Sequence, residues 1–121
     1  MMNYSPPIPE IDSRELARRL QNRADDFVLL DVREAWELNL ARLDDPRLLH
    51  LPLSQLARQR LAAFPDDMQN RQQEIVVVCH HGVRSAQVTA WMLDQGWQRV
   101  SSLAGGLDAF ARSIDPSIGF Y

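Results

Sequence analysis

Ile75-Val76-Val77-Val78-Cys79-His80-His81-Gly82-Val83-Arg84-Ser85, running on to Gly96, is the stretch that decides the fold. Ile75 to Val78 is an unbroken apolar, β-branched run. Such a run predicts a strand buried on both faces, as in the middle of a parallel sheet. Ser85 to Gln95 predicts a helix, with Ala86, Ala90 and Leu93 on one stripe and Val88, Trp91 and Met92 on another. Gly96 stands at the position after the helix end that favours glycine. Cys79 to Arg84 are left as a tight loop, which delivers a cysteine to a helix N-terminus. Loop N–H groups and the positive end of the helix dipole favour negative charge there. The thiolate is the reactive form of cysteine. Gly82 lets the backbone turn without steric cost, and Arg84 adds a permanent positive charge with a fork of N–H donors. The stretch therefore predicts a nucleophilic sulfur with room for an anion or an anionic leaving group beside it.

Working outward, the rest of the chain alternates strand and helix patterns. Met1 to Pro7 is a Pro-rich lead-in. Ile8 to Ile11 predicts a short first strand, which Pro7 and Pro9 confine to a sheet edge. Asp12 is placed as an N-cap with Glu15 completing a capping box, and Ile11 and Leu16 as a hydrophobic staple. Leu16, Ala17, Leu20 and Ala24 form the apolar stripe of that first helix. Phe27 to Val32 is the second strand, and Asp31 lies at its carboxyl end, as Cys79 lies at the end of a later one. Asp31 either faces the same crevice as Cys79 or caps a short helix from Glu34 to Leu40; the two roles are compatible. Arg33 and Glu37 are spaced to pair with each other. Ala41 to Arg47 is a polar loop, Leu48 to Leu51 a third strand with a structural His50, and Ser54 opens a helix with Leu56 and Leu61 inward. Pro65 to Gln73 holds a further short helical turn. Val100 to Leu103 is the last strand. Gly105-Gly106 permits close backbone approach before a helix from Leu107 to Arg112. Residues 114–121 form a tail whose Phe120 and Tyr121 are expected to dock on the body. This alternation predicts an α/β domain with a mainly parallel sheet and helices on both faces.

Composition narrows the function classes. The 121 residues match one domain, 1–121, and 45% of them are hydrophobic, enough for a core. The net charge of −3 argues for no nucleic-acid partner. All 13 basic residues are arginine, so Schiff-base chemistry at a lysine is excluded. One cysteine excludes an intrachain disulfide and an internal resolving thiol. A group carried on Cys79 must be released by another molecule. No signal-peptide pattern or membrane-length apolar run is present in the sequence, so a cytoplasmic protein is expected. Gly105-Gly106 lacks the spacing of a dinucleotide or phosphate-binding loop, and no cofactor is expected. Trp91 and Trp97 are expected in the core.

Cys79-His80-His81-Gly82-Val83-Arg84-Ser85 after an apolar strand resembles the active-site loop of rhodanese-like sulfurtransferases. Leu30-Asp31-Val32-Arg33 with Glu34-Ala35-Trp36-Glu37 resembles the upstream Asp-x-Arg motif of that family. His50-Leu51-Pro52-Leu53 resembles its next strand end, and Leu103-Ala104-Gly105-Gly106-Leu107-Asp108-Ala109-Phe110 its Gly-Gly helix start. The blocks occur in family order across about residues 8 to 121. Two departures stand out: a longer loop at Ala41 to Arg47, and Phe110 where the family usually has Trp. The resemblance implies a three-layer α/β/α, rhodanese-like domain with a five-stranded sheet in the order 3-2-4-5-1. That order makes the second and fourth strands neighbours.

The resemblance also implies a chemistry. Cys79 would attack a sulfane sulfur, carry it as a persulfide and pass it to a thiophilic acceptor, by ping-pong covalent catalysis. His80, His81, Gly82, Val83, Arg84 and Ser85 would form the substrate-binding loop, with Asp31 and Arg33 behind it. Phosphoryl transfer is the competing reaction of a Cys…Arg loop. Cysteine phosphatase loops are longer; here only His80 to Val83 separate Cys79 from Arg84, and no loop Asp is available as a general acid. His80 and His81 are expected to shape the pocket mouth. As adjacent residues with diverging side chains they make a poor metal site with one Cys, and no metal is expected. The implied partners are a small-molecule or protein sulfur donor and acceptor. The alternative is a non-catalytic interaction module, or a sulfur-relay partner without thiosulfate activity.

Overall fold

The computed structural model describes residues 7–121, so nearly all of the expected lead-in lies outside the described residues. The strand β4, Ile75–Val78, is buried at every position. Successive strand residues point to opposite faces. Ile75, Val77 and, just past the strand, Cys79 therefore enter one core, while Val76 and Val78 enter the other. A strand covered on both faces favours apolar side chains at successive positions, which is why the run reads as continuous Ile and Val.

Around it stand β1 (Glu10–Ile11), β2 (Val28–Asp31), β3 (Leu48–His50) and β5 (Val100–Leu103). The sheet is parallel throughout, in the order β1-β5-β4-β2-β3, which is the expected order read from the other edge. Helices α2 (Leu53–Gln59) and α3 (Val83–Asp94) cover one face, through Leu56, Val88 and Met92. Helices α1 (Ser13–Leu20) and α4 (Gly106–Ser113) cover the other, through Leu16, Leu107 and Phe110. Each such apolar side chain, once buried, contributes about 1.5–3 kcal/mol. The layers are helix, sheet, helix, and β2 and β4 are neighbours, with Asp31 opposite Val78.

Several local expectations are corrected. The first strand is two residues long, and α1 stops at Leu20, which leaves Ala24 exposed. Asp12 caps α1 by accepting from the Glu15 amide at 2.8 Å, but the Glu15 carboxylate turns to Arg18. The segment after β2 is a 3₁₀ turn, Ala35–Asn39, with Glu34 rather than Asp31 at its N-cap. Leu61 falls in a further 3₁₀ turn, Arg60–Ala63, and is partly buried there. The short turn expected after Pro65 is 3₁₀, Asp66–Gln69. α3 begins two residues early, at Val83, and buries Ser85, Val88, Thr89 and Met92. The Ala86, Ala90 and Leu93 stripe is not its core face. Trp97 is buried, with the edge of Phe64 against its ring at 5.3 Å and the Arg71 guanidinium over it at 3.8 Å.

Candidate active site

Cys79 follows β4 directly, at the carboxyl end of the central strand, and is 1% exposed. Its Sγ accepts from the Gly82 amide at 3.1 Å and the Ser85 amide at 3.3 Å. The Ser85 hydroxyl lies 3.4 Å from Sγ and 2.7 Å from the Ser102 hydroxyl of β5. Two backbone N–H groups aimed at one sulfur, at the start of α3, favour a negative sulfur.

The loop turns its amides inward because its carbonyls are held on the other side. The Leu107 amide donates to the Cys79 carbonyl at 2.9 Å, and the Asp108 amide to the His80 carbonyl at 3.0 Å. The otherwise unpaired N–H groups of the first turn of α4 thus anchor the Cys79 loop. This approach requires Gly106. Its φ is +66°, and a Cβ there would overlap the His80 carbonyl and lie 2.6 Å from that of Cys79. Gly82, with φ +95°, supplies the left-handed residue that opens α3.

The charged residues are arranged differently from the sequence expectation. Arg33 does not pair with the Glu37 carboxylate. Its Nε and Nη2 grip Asp31 at 3.0 and 2.7 Å, and both residues are fully buried. Its Nη1 donates to the Ala41 carbonyl at 2.7 Å and to the Tyr121 hydroxyl at 3.2 Å. Asp31 therefore braces the segment behind the loop through Arg33 instead of facing the crevice as a free carboxylate. His50 Nε2 lies 2.7 Å from the Arg33 carbonyl, a structural contact as expected.

Glu37 belongs to Arg84. The two Arg84 Nη atoms donate to Oε2 at 2.6 Å and Oε1 at 2.8 Å. Arg84 and the further donors of Glu34 and Tyr121 hold the Glu37 carboxyl down to about 2. The Arg84 guanidinium is driven upward by the same carboxylate. The permanent cation expected beside the sulfur is thus present but neutralised.

His80 and His81 do not diverge. Their rings lie 3.9 Å apart, and His80 is also stacked on the Tyr121 ring at 3.8 Å. Burial and the neighbouring His81 push the His80 imidazolium toward deprotonation. His81 is exposed, with its Nδ1 3.9 Å from Asp108. Val83, the first residue of α3, is exposed. Of the tail, Tyr121 docks, its hydroxyl donating to Glu37 at 2.9 Å. Phe120 stays half exposed near Arg112. Among the described residues, no group of three or more His, Cys, Asp or Glu is arranged to hold a metal ion. No helix among them is long and apolar enough to cross a membrane.

Sequence reasoning located Cys79, the loop and its amides. It expected Tyr121 to dock without giving its contacts, missed Ser102, and gave Glu37 the wrong partner. The motif placed Glu37 near the site, but no spacing signal ties it to a loop that begins some forty residues later. The place where Tyr121 docks could not be read, because its stacking on His80 and its bond to Glu37 depend on the whole fold.

The Rhodanese-like domain family model matches residues 12–113, and the chain belongs to that family. A protein named Sulfurtransferase from Allochromatium vinosum is 35% identical over 105 residues, covering 87% of this chain and 90% of its own length. The Rhodanese-like/PpiC domain-containing protein 12, chloroplastic, of Arabidopsis thaliana is 34% identical over 119 residues, and the chain spans only 38% of that longer relative. Among solved structures, a rhodanese-like domain protein from Staphylococcus aureus superposes with a TM-score of 0.69, at 24% identity, over 85% of this chain and 91% of its own. That likeness speaks for the fold.

Proposed function

We propose that this protein is a sulfurtransferase that carries sulfur on Cys79. The thiolate attacks the outer sulfur of a sulfane donor such as thiosulfate or a persulfide. An Sγ–S bond forms as the donor S–S bond breaks, and the electron pair leaves with sulfite or a thiolate. A thiophilic acceptor, cyanide or a thiol or a protein, then takes the sulfur and restores Cys79. The observation that carries this reading is the pair of amides, from Gly82 and Ser85, converging on Sγ. Amides so placed compensate the negative charge of the thiolate that attacks the donor.

In this reading His80, His81 and Val83 line the mouth, Arg84 fixes the loop through Glu37, and Asp31 with Arg33 braces the wall behind. Phosphoryl transfer is disfavoured further by Glu37, because a carboxyl held at about 2 has no proton to give a leaving group near neutral pH. The step as written needs only Cys79 and its two substrates. A reducing compartment such as the cytoplasm suits a lone thiol of this kind.

Cys79→Ser tests the assignment. Transfer from thiosulfate or a persulfide to cyanide is expected to vanish, because a hydroxyl cannot form the persulfide and the chain holds no second cysteine. Transfer at the wild-type rate by the Ser variant would remove Cys79 from the chemistry. Wild-type protein inert toward every sulfane donor would favour the non-catalytic module.

A further inference from the structure

The sulfur-carrying loop holds one arginine, and that arginine is already engaged. Glu37 accepts four hydrogen bonds: from Arg84 Nη1 at 2.6 Å, Arg84 Nη2 at 2.8 Å, the Glu34 amide at 2.8 Å and the Tyr121 hydroxyl at 2.9 Å. Glu37 is 3% exposed while the Arg84 side chain is 30% exposed, so the carboxylate is shielded and the pair is partly screened by solvent. The second guanidinium behind the loop, Arg33, is matched in the same way by the buried Asp31. His80 is held toward its neutral form under Tyr121. His81, at the rim, faces Asp108, which also pairs with Arg112. No lysine exists to add charge. The two arginine–carboxylate pairs cancel, leaving amide dipoles as the principal attraction for an incoming anion.

We propose that Glu37, fastened by Tyr121, sets donor choice at this site: by cancelling Arg84 it favours a hydropersulfide, R–S–SH, over the thiosulfate dianion. The proposal rests on the sulfur-transfer reading and narrows it to a substrate class. A hydropersulfide carries at most one negative charge and reacts as an electrophile in its protonated form. The Cys79 thiolate attacks its outer sulfur, the Sγ–S bond forms, and the S–S bond breaks with its electron pair leaving on RS⁻. Cys79 is left as Cys–S–SH, so atoms and charge balance. Thiosulfate demands that two negative charges approach a thiolate in a cradle whose arginine is spent. Glu37 and Tyr121 are positioning residues, because they act through Arg84 and His80.

A charge ladder tests this. The ratio of kcat/KM for thiosulfate to kcat/KM for a hydropersulfide is measured in wild type, Glu37→Gln, Arg84→Gln and the double variant, each checked for folding by thermal melting. The hydropersulfide is supplied in two arms, as glutathione hydropersulfide and as a persulfidated protein cysteine. Either arm exceeding thiosulfate with wild type supports the proposal, and the faster one names the carrier. Freeing Arg84 in Glu37→Gln is expected to raise the ratio by at least about tenfold, from the Coulomb attraction of one uncovered charge at this range. Arg84→Gln uncovers Glu37 instead and is expected to lower it. The double variant, neutral again, is expected to return toward wild type. A structural disturbance alone would not change sign and then cancel. A ratio that stays flat across the ladder, or a wild type that prefers thiosulfate, would overturn the proposal while leaving sulfur transfer standing. Failure of every donor to load wild-type Cys79 would overturn both.

Discussion

Cys79 owes its character to its neighbours more than to its own side chain: two amides, the Ser85 hydroxyl, and an ion pair that stands between it and full positive charge. The amides were legible, because a cysteine followed by Gly82 and a helix pattern predicts them. The ion pair was not. The i,i+4 rule that linked Arg33 to Glu37 describes an α-helix, whereas this segment is a 3₁₀ turn with about three residues per turn. Arg33 also lies before the turn and folds back onto Asp31. The pairing has a pH signature. Glu37 titrates at about 2 in the folded chain, below its ordinary value of 4.5. Its contribution to stability is therefore present above the unfolded value and is lost as pH falls through that window toward about 2. Glu37→Gln is expected to be less stable than wild type at neutral pH by about 1–3 kcal/mol, the scale for losing a buried charge-assisted partner. Urea unfolding at a series of pH values should show that gap closing as the solution is acidified. A gap that is constant with pH would mean the pair contributes nothing through its charge.

At the scale of elements, the site depends on how α4 meets the Cys79 loop. The sequence showed a Gly-Gly pair before a helix, and its need for close approach was readable. Its target was not, since nothing local says which carbonyls the helix start will reach. Gly105 has a φ of +73° and Gly106 one of +66°, and it is Gly106 that lies against the Cys79 and His80 carbonyls. Gly106→Ala is expected to cost at least the roughly 1–3 kcal/mol of a strained backbone. It should also tilt the loop amides off Sγ. Thermal melting reads the first effect, and the alkylation rate of Cys79 at fixed pH reads the second. Unchanged values for both would mean that α4 does not hold the loop. The early start of α3 has a similar cause: Gly82 in the left-handed region already closes the loop, so Val83 and Arg84 are free to be helical.

For the molecule as a whole, the strand order is what brings the parts together. Placing β4 between β2 and β5 sets Asp31 and Ser102 on either side of the Cys79 strand. β4 and most of β2 were readable as apolar runs, β1 and the Val-Ser-Ser-Leu of β5 were not, and the strand order followed from the family resemblance rather than from periodicity. The tail was the least readable part. Residues 114–121 have no strong pattern, yet Tyr121 reaches Arg33, Glu37 and His80 at once. A surface groove of about 750 Å³ between α1, α4 and the 41–47 loop lies apart from the sulfur. The chemistry therefore converges on one atom, Sγ of Cys79. The most direct test is the intact mass of the protein before and after exposure to a hydropersulfide, and again after cyanide. The Cys79 persulfide cycle predicts a gain of one sulfur, about 32 Da, at the single cysteine, which cyanide then removes. No gain from either a hydropersulfide or thiosulfate, with Cys79 still reduced and open to alkylation, would contradict it.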